Sequence, residues 1–355
     1  MTVAKIILAD RTNRYNGSDL ASRPLGGTET SVIRLAEALA HRGHAVTCLT
    51  RTARALVHRG VMWSPLGPVK RAACDLFLGV QHPELLDLGR GAWRRALWLV
   101  WPPHELRRKG SFLRMWLYRP LPVFVSRYQV DAYGRFLPRP RPPLILPFGL
   151  PEAVRGRPSL EASPPPRAVF ASNPIRDLTW LLKIWEKLIL PRVPGAEFHI
   201  YGIRDYAYRY GEPWVETRRR LWKFLPEGYP AGAVKSLVPH PPARQEELWE
   251  AVRSSRVMLY GGHRVEAFCL AVAEAQALGV PAVVRPIAAT PERVRDGVTG
   301  FVVPDDESFA RRAVELLTDD DLWRRQHEAA LSLQQGWSWD EYAAAFEAAV
   351  LGQVV

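Results

Sequence analysis

His263-Arg-Val-Glu-Ala-Phe-Cys-Leu-Ala-Val-Ala-Glu-Ala-Gln-Ala-Leu-Gly-Val-Pro-Ala-Val-Val284 carries the reading that decides the fold. Cys269 to Leu278 predicts a helix, because good helix formers run unbroken until Gly279, which suits the residue just past a helix end. Pro281 to Val284 then reads as a short buried strand, and the apolar run Val257 to Tyr260 just upstream reads as another. Strand, helix, strand in so few residues is a βαβ unit, and a βαβ unit implies a parallel, right-handed sheet.

The same pattern extends in both directions. Upstream, Ala168 to Ala171 predicts a strand and Leu178 to Leu190 a helix with Leu181, Trp185 and Leu188 on one face. Glu197 to Tyr201 predicts the next strand and Glu246 to Arg253 another helix. Pro151 to Arg167, rich in proline, small and charged residues, reads as a linker. The first half repeats the theme. Lys5 to Asp10 is a buried-type strand. A helix with Val32, Leu35, Ala36 and Leu39 at helical spacing follows Gly26-Gly27 and closes at Gly43, and Ala45 to Thr50 is the next strand. Asp75 to Val80, Ala96 to Val100, Val123 to Ser126 and Leu144 to Pro147 are further strand candidates. Ser338 and Glu341 have the spacing of a capping box for a last helix from Trp339 to about Leu351. The expected architecture is α/β, with two doubly wound domains, residues 1–157 and residues 165–335, and a terminal helix at 338–355.

Composition agrees with a globular protein of this kind. At 355 residues the chain exceeds what one hydrophobic core usually organises. No apolar run approaches the ~18 residues needed to span a bilayer. Met1 to Asp10 reads as a strand rather than a signal peptide, so the expectation is a cytoplasmic protein. Three cysteines, Cys48, Cys74 and Cys269, show no CxxC or metal-ligand spacing. The net charge of +12, mostly arginine, points to an anionic partner. Nucleic acid, an anionic membrane surface and a nucleoside diphosphate would each satisfy it.

Within the opening stretch, Glu266 precedes the expected helix and Glu274 lies inside it. Carboxylates accept hydrogen bonds from sugar and ribose hydroxyls. The backbone amides of Phe268, Cys269 and Leu270, at a helix start after a strand, make a natural phosphate site. The plainer reading, that both glutamates are solvated surface charges, stays open at this point.

The Glu266 to Glu274 spacing, with the Ala-Leu-Gly-Val-Pro-Ala-Val-Val that follows, resembles the E-x7-E signature of the retaining family 4 glycosyltransferases. Thr290-Pro-Glu-Arg-Val-Arg-Asp-Gly297-Val-Thr-Gly300 is similar to that family's downstream segment. Phe170 to Leu178 resembles the loop where it sets a basic residue over the donor diphosphate. Pro24-Leu-Gly26-Gly27-Thr-Glu-Thr resembles its glycine-rich first loop. The resemblance implies a GT-B fold, with two Rossmann-like domains facing a cleft and the last helix crossing back to the first domain. It implies transfer of a sugar from a nucleoside diphosphate to a glycan or lipid-linked acceptor, with retention, without a metal or other cofactor, in polysaccharide or lipopolysaccharide synthesis. Glu274 would bind the donor ribose and Glu266 the transferred sugar. Arg176 would neutralise the leaving diphosphate, together with the Phe268, Cys269 and Leu270 amides. Gly26 and Gly27 would let the backbone approach the donor, and His104 would face the donor sugar, positioning the acceptor or stabilising charge. The chain departs from the family where Ala288-Ala289 replaces a glycine pair, and where Ser172 and Asn173 stand in place of a second basic residue.

Two basic, aromatic-rich stretches lie outside this scheme. Leu106 to Arg119 interleaves cationic and large apolar side chains, as an interfacial membrane segment does, although a core helix with solvated arginines has the same composition. Tyr206 to Leu225 admits the same two readings. The rival functions are a sugar-nucleotide epimerase or phosphorylase on the same fold, and a basic nucleic-acid or anionic-surface binding protein. Against nucleic acid, the sequence carries no RNP-like motif, zinc spacing or helix-turn-helix.

Overall fold

A computed structural model describes residues 3–66, 74–202, 224–225 and 231–352. Most of the basic stretch Tyr206 to Leu225 lies outside the described residues. The chain divides into two compact units, residues 1–149 with 337–355, and residues 150–336.

In the first unit, β1 (Lys5–Ala9), β2 (Ala45–Thr50), β3 (Leu56–His58), β4 (Val61–Pro65), β5 (Leu76–Val80), β6 (Arg94–Leu99), β7 (Leu121–Phe124) and β8 (Leu144–Ile145) form one sheet. Its order is β3-β4-β2-β1-β5-β6-β7-β8, and every pairing is parallel except that of β3 with β4. Chain order therefore reverses between β1 and β5, and such a reversal leaves a crevice at the carboxyl ends of the two strands. Helix α1 (Gly27–His41) crosses from β1 towards β2, burying Val32, Ile33, Leu35, Ala36 and Leu39 as its apolar spacing requires. Two further helices, α2 (Lys109–Tyr118) and α3 (Arg127–Ala132), follow β6 and β7.

The second unit begins with a strap. Arg155 donates to the Gln335 carbonyl at 3.1 Å, Gly156 N–H donates to Gln335 Oε1 at 2.6 Å, and Leu160 N–H donates to His327 Nε2 at 3.0 Å. The segment expected as a linker is thus fastened along its length. Composition shows which residues are poor in regular structure, not whether distant groups satisfy their backbone. Its sheet comprises β9 (Arg167–Ala171), β10 (Glu197–Tyr201), β11 (Leu237–Pro239), β12 (Val257–Tyr260), β13 (Ala282–Val284) and β14 (Gly300–Val302). The order is β11-β10-β9-β12-β13-β14, wholly parallel, so here the reversal lies between β9 and β12. Its helices include α4 (Leu178–Ile184), α5 (Gln245–Arg253), α6 (Leu270–Ala277), α7 (Asp306–Thr318) and α8 (Asp320–Leu333). The helix expected from Leu178 to Leu190 changes at Trp185 into a wider π-type turn over Trp185–Ile189.

The chain then returns to the first unit through α9 (Trp339–Phe346). Ser338 and Glu341 form the expected capping box, Ser338 Oγ accepting from the Glu341 amide at 3.0 Å and Glu341 accepting from the Ser338 amide at 2.6 Å. Tyr342 packs on Trp98, Trp339 packs on Phe148, and Glu347 pairs with Arg42 at 2.6 Å.

Candidate active site

The strongest constellation lies at the β9–β12 reversal of the second unit. Residues 172–177 leave β9 in a turn in which the Arg176 amide donates to the Asn173 carbonyl at 2.9 Å, carrying the Arg176 side chain to the carboxyl edge of the sheet. Beyond β12, Gly261 and Gly262 give the chain a narrow exit. A Cβ at Gly261 would fall 2.9 Å from the Trp180 ring, and Gly262 has φ +82°. The turn after them delivers Glu266.

Glu266 is the hub of the site. Its Oε2 accepts from the Tyr260 hydroxyl at 2.5 Å and lies 3.0 Å from Arg176 Nη1. Its Oε1 accepts from the Cys269 amide at 2.9 Å, and its carbonyl accepts from Ala289 N–H at 3.3 Å. The Arg176 and Glu266 side chains are only 18% and 12% exposed, so the pair is shielded on most sides, yet open enough for a ligand to reach it. Burial drives the Tyr260 phenol well above its ordinary pKa, helped by the nearby Cys269 and Glu266, so it stays a hydrogen-bond donor at neutral pH. Burial also raises the Cys269 thiol, which makes it inert rather than nucleophilic.

Three site features differ from the sequence expectation. Helix α6 begins at Leu270, preceded by Cys269 at φ +70°, and the Cys269 amide donates to Glu266. An anion seated there would compete with that carboxylate for one of the three amides assigned to it. Ala288 has φ +54°, a left-handed conformation that glycine adopts more readily, while the following amide, Ala289 N–H, is engaged by Glu266. Arg293, given no role in the sequence reading, stacks its guanidinium 4.2 Å from the Phe268 ring centroid. Burial lowers the Arg293 pKa. Phe268 therefore carries a cation on its ring at the start of the helix. Only its position in the downstream segment could have hinted at that.

Glu274 sits one turn into α6, half-buried. Arg285, just past β13, lies over the Trp180 ring at 4.7 Å and 3.7 Å from Asp177. It is a second cation on this edge of the sheet, contributed by a different strand from the one where sequence reading sought it. Among the described residues, no group of three or more His, Cys, Asp or Glu is arranged to hold a metal ion.

His104, Gly26 and Gly27 belong to the first unit. Gly26 precedes α1 in extended conformation, and neither glycine is in the left-handed region. Gly26 supplies room instead: a Cβ there would meet Glu29 Oε2. Glu29 is buried and accepts from the Asn13 side chain. Asp10, read as a weaker candidate, is engaged inside the fold, with Oδ2 accepting from Thr12 Oγ1 at 2.7 Å and from the Tyr15 hydroxyl at 2.6 Å. His104 is exposed on the short turn Pro103–Arg107.

Residues 166–319 match the family described as glycosyl transferases group 1. A D-inositol 3-phosphate glycosyltransferase of Streptomyces griseus is 36% identical over 108 residues, which is 30% of this chain and 23% of that protein. A second, from Streptomyces scabiei, is 36% identical over 107 residues, 30% of this chain and 24% of that protein. The chain thus spans about a quarter of the length of the curated relatives it matches. Over nearly its whole length the chain is similar to solved structures. Sucrose-phosphate synthase of Thermosynechococcus elongatus has a TM-score of 0.72 at 15% identity, covering 99% of this chain and 98% of that one. WaaG, a glycosyltransferase of lipopolysaccharide biosynthesis, has a TM-score of 0.68 at 12% identity, covering 98% and 100%. These likenesses carry the fold across the full chain, while the family match is concentrated in the unit that holds Arg176, Glu266 and Glu274. The chain has the GT-B fold, and its residues 166–319 match the glycosyl transferases group 1 family.

Proposed function

We propose that the protein transfers a sugar from a nucleoside diphosphate donor to a glycan or lipid-linked acceptor, with retention and without a metal. The observation that carries this reading is the Arg176–Glu266–Tyr260 cluster at the reversal of the second sheet, where open α/β sheets bind ligands. One anion and one cation held together suit a nucleotide sugar, which offers hydroxyls to the first and phosphates to the second. Glu266 receives sugar hydroxyls, and Tyr260 and the Cys269 amide keep its two oxygens fixed. Arg176 and the amides at the start of α6 meet the diphosphate. When the bond between sugar and diphosphate breaks, negative charge grows on the leaving group, and donors already aimed at it lower the barrier without reorganising. The acceptor hydroxyl oxygen forms the new bond to the sugar as the bond to the diphosphate breaks, and the hydroxyl proton passes to the leaving diphosphate. Glu274 takes the ribose, and His104 serves the acceptor side. The structure of Anabaena HepE in complex with UDP-glucose, with a TM-score of 0.68 at 13% identity, supports a nucleotide-sugar donor for this fold.

A specific observation also favours contact with an anionic membrane. Helix α2 buries Ser111 and Met115 but leaves Leu113, Trp116 and Leu117 at 58%, 44% and 71% exposure, beside Phe136 at 65%. Trp116 donates to the Phe136 carbonyl at 3.1 Å, and Arg119 and Arg135 lie over the Trp116 and Phe136 rings. Residues 106–141 contain nine arginines and lysines and one acidic residue. Apolar side chains ringed by cations fit a lipid interface, and a lipid-linked acceptor would be presented there. No helix among the described residues is long and apolar enough to cross a membrane.

The test is thermal stabilisation by uridine, guanosine and adenosine diphosphates, with and without attached sugars, in wild type and Glu274→Ala. Stabilisation of wild type alone by one of them supports the reading and names the base. No stabilisation by any overturns it. Product analysis without acceptor separates an epimerase, which interconverts free nucleotide sugars.

A further inference from the structure

We propose that Trp101 is a stacking platform for a pyranose ring of the acceptor, in a subsite built entirely within the first unit. The inference rests on the transferase reading above, which assigns the donor to residues 150–336. Trp101 follows β6 at the carboxyl edge of the first sheet, one strand from the β1–β5 reversal. It is 38% exposed, which leaves part of the ring open to a ligand.

The ring is also held still, by three separate elements. Its backbone N–H donates to Gln81 Oε1 at 2.8 Å, just beyond β5. Its carbonyl accepts from Gln129 Nε2 on α3 at 2.9 Å. Its indole N–H donates to Thr28 Oγ1 at 3.2 Å, in the first turn of α1 beside Gly26 and Gly27. His82 meets it edge-on, with ring centroids 5.8 Å apart at 84°. Because the indole N–H is already engaged, what the exposed part of Trp101 can offer a ligand is its π face. Pyranoses present a patch of C–H groups on one side of the ring, and such a patch suits the electron-rich face of a fixed aromatic ring.

Two further observations mark the place as a site rather than a chance exposure. Gln81 adopts φ +60° although it is not glycine, a strained conformation of the sort that gathers at ligand sites. It is 1% exposed, and its Nε2 has no hydrogen-bond partner among the described residues. His104, three residues along, adds an exposed polar side chain that can meet ring hydroxyls.

The experiment is saturation-transfer NMR on the full chain with the methyl pyranosides of glucose, galactose, mannose and N-acetylglucosamine. It uses wild type, Trp101→Phe and Trp101→Leu, with nucleoside-diphosphate thermal shifts measured alongside. Wild type is expected to saturate the C–H protons of one ring face of at least one glycoside. Trp101→Phe keeps that signal, Trp101→Leu weakens the affinity by about tenfold, and all three respond equally to nucleotide. The subsite is overturned if no glycoside is saturated by wild type, if Trp101→Leu matches wild type, or if Trp101→Leu loses the nucleotide response as well. Glycoside binding in wild type without any nucleotide response would instead refute the donor assignment and leave the subsite standing.

Discussion

Glu266→Gln removes one charge while keeping the shape of the side chain, so its cost can be worked from the contacts. The two carboxylate oxygens take two hydrogen bonds and one ion pair: Cys269 N–H donates to Oε1, the Tyr260 hydroxyl donates to Oε2, and Arg176 Nη1 pairs with Oε2 at 3.0 Å. An amide has one oxygen. If it faces Cys269, the NH2 group faces Tyr260 and Arg176. The Tyr260 hydroxyl can rotate to accept from that NH2, but a guanidinium has no lone pair and is left without its anion. Losing a hydrogen bond to a charged group costs about 1.5–3 kcal/mol, and stranding a fully buried charge costs about 3–5 kcal/mol. Because the Arg176 side chain keeps 18% exposure, the lower part of that span applies, roughly 2–3 kcal/mol. For a unit the size of residues 150–336, each kcal/mol moves Tm by roughly 2–4 °C, so Glu266→Gln should lower it by about 4–12 °C in calorimetry. Arg176→Met leaves the carboxylate with Tyr260 and Cys269, so it should cost less. In the double variant the Glu266→Gln cost should shrink by at least ~1 kcal/mol. Additive losses, or a Glu266→Gln protein melting within about 1 °C of wild type, would show that the pair is a solvent-screened contact and that Glu266 is not the hub.

Other consequences are checked more simply. Ala288→Gly should raise stability by about 0.5–1 kcal/mol, because relief of the left-handed strain at φ +54° exceeds the entropy cost of glycine; a denaturant midpoint below wild type would contradict this. Gly279→Ala should be severely destabilising, since the new Cβ would lie 2.6 Å from the His327 ring at a position with φ +80°, and refolding yield as well as Tm should fall. Burial holds His240 at a pKa of about 4 and lowers His327 below 6.5, so both are neutral when folded and take up protons on unfolding. Their contribution is fully present above pH ~6.5 and is lost as pH falls towards ~4; urea midpoints flat between pH 7 and 5 would refute it. Leu117→Asp with Phe136→Asp should abolish sedimentation with vesicles containing phosphatidylglycerol while leaving the nucleotide response intact, and unchanged sedimentation would rule out this face as the lipid contact.

Much of the fold was legible because its central strands are apolar runs bounded by turn residues. Ala45–Thr50, Glu197–Tyr201 and Val257–Tyr260 occur with the bounds the sequence suggests. Strands at and next to the sheet edges were not: Leu56–His58 and Leu237–Pro239 have three residues each, and exposed positions interrupt the apolar run of Val61–Pro65. The helix expected from Leu178 to Leu190 was read as one because its apolar spacing continues, and nothing local marks the change of pitch at Trp185. At the site, the residues around the expected helix pointed to Glu266 and the family resemblance to Arg176, each singly. Their pairing across 90 positions was hidden, because it is made by the adjacency of β9 and β12 and not by any local pattern. The engagement of the Cys269 amide depends on its left-handed φ, a conformation rarely expected of cysteine.

The return of the last helix to the first unit sets the order of assembly on the ribosome. Residues 150–336 are contiguous and can close as soon as they emerge, whereas the unit started by β1 lacks α9 until the far end of the chain appears. At about 5–20 residues per second the wait is roughly 10–40 s. Throughout it, the surfaces of Trp98 and Phe148 that α9 covers stand open. A nascent chain stalled beyond residue 149 therefore offers chaperones a greasy seam in its oldest part, and a nonsense codon late in the message damages the half of the protein that was made first.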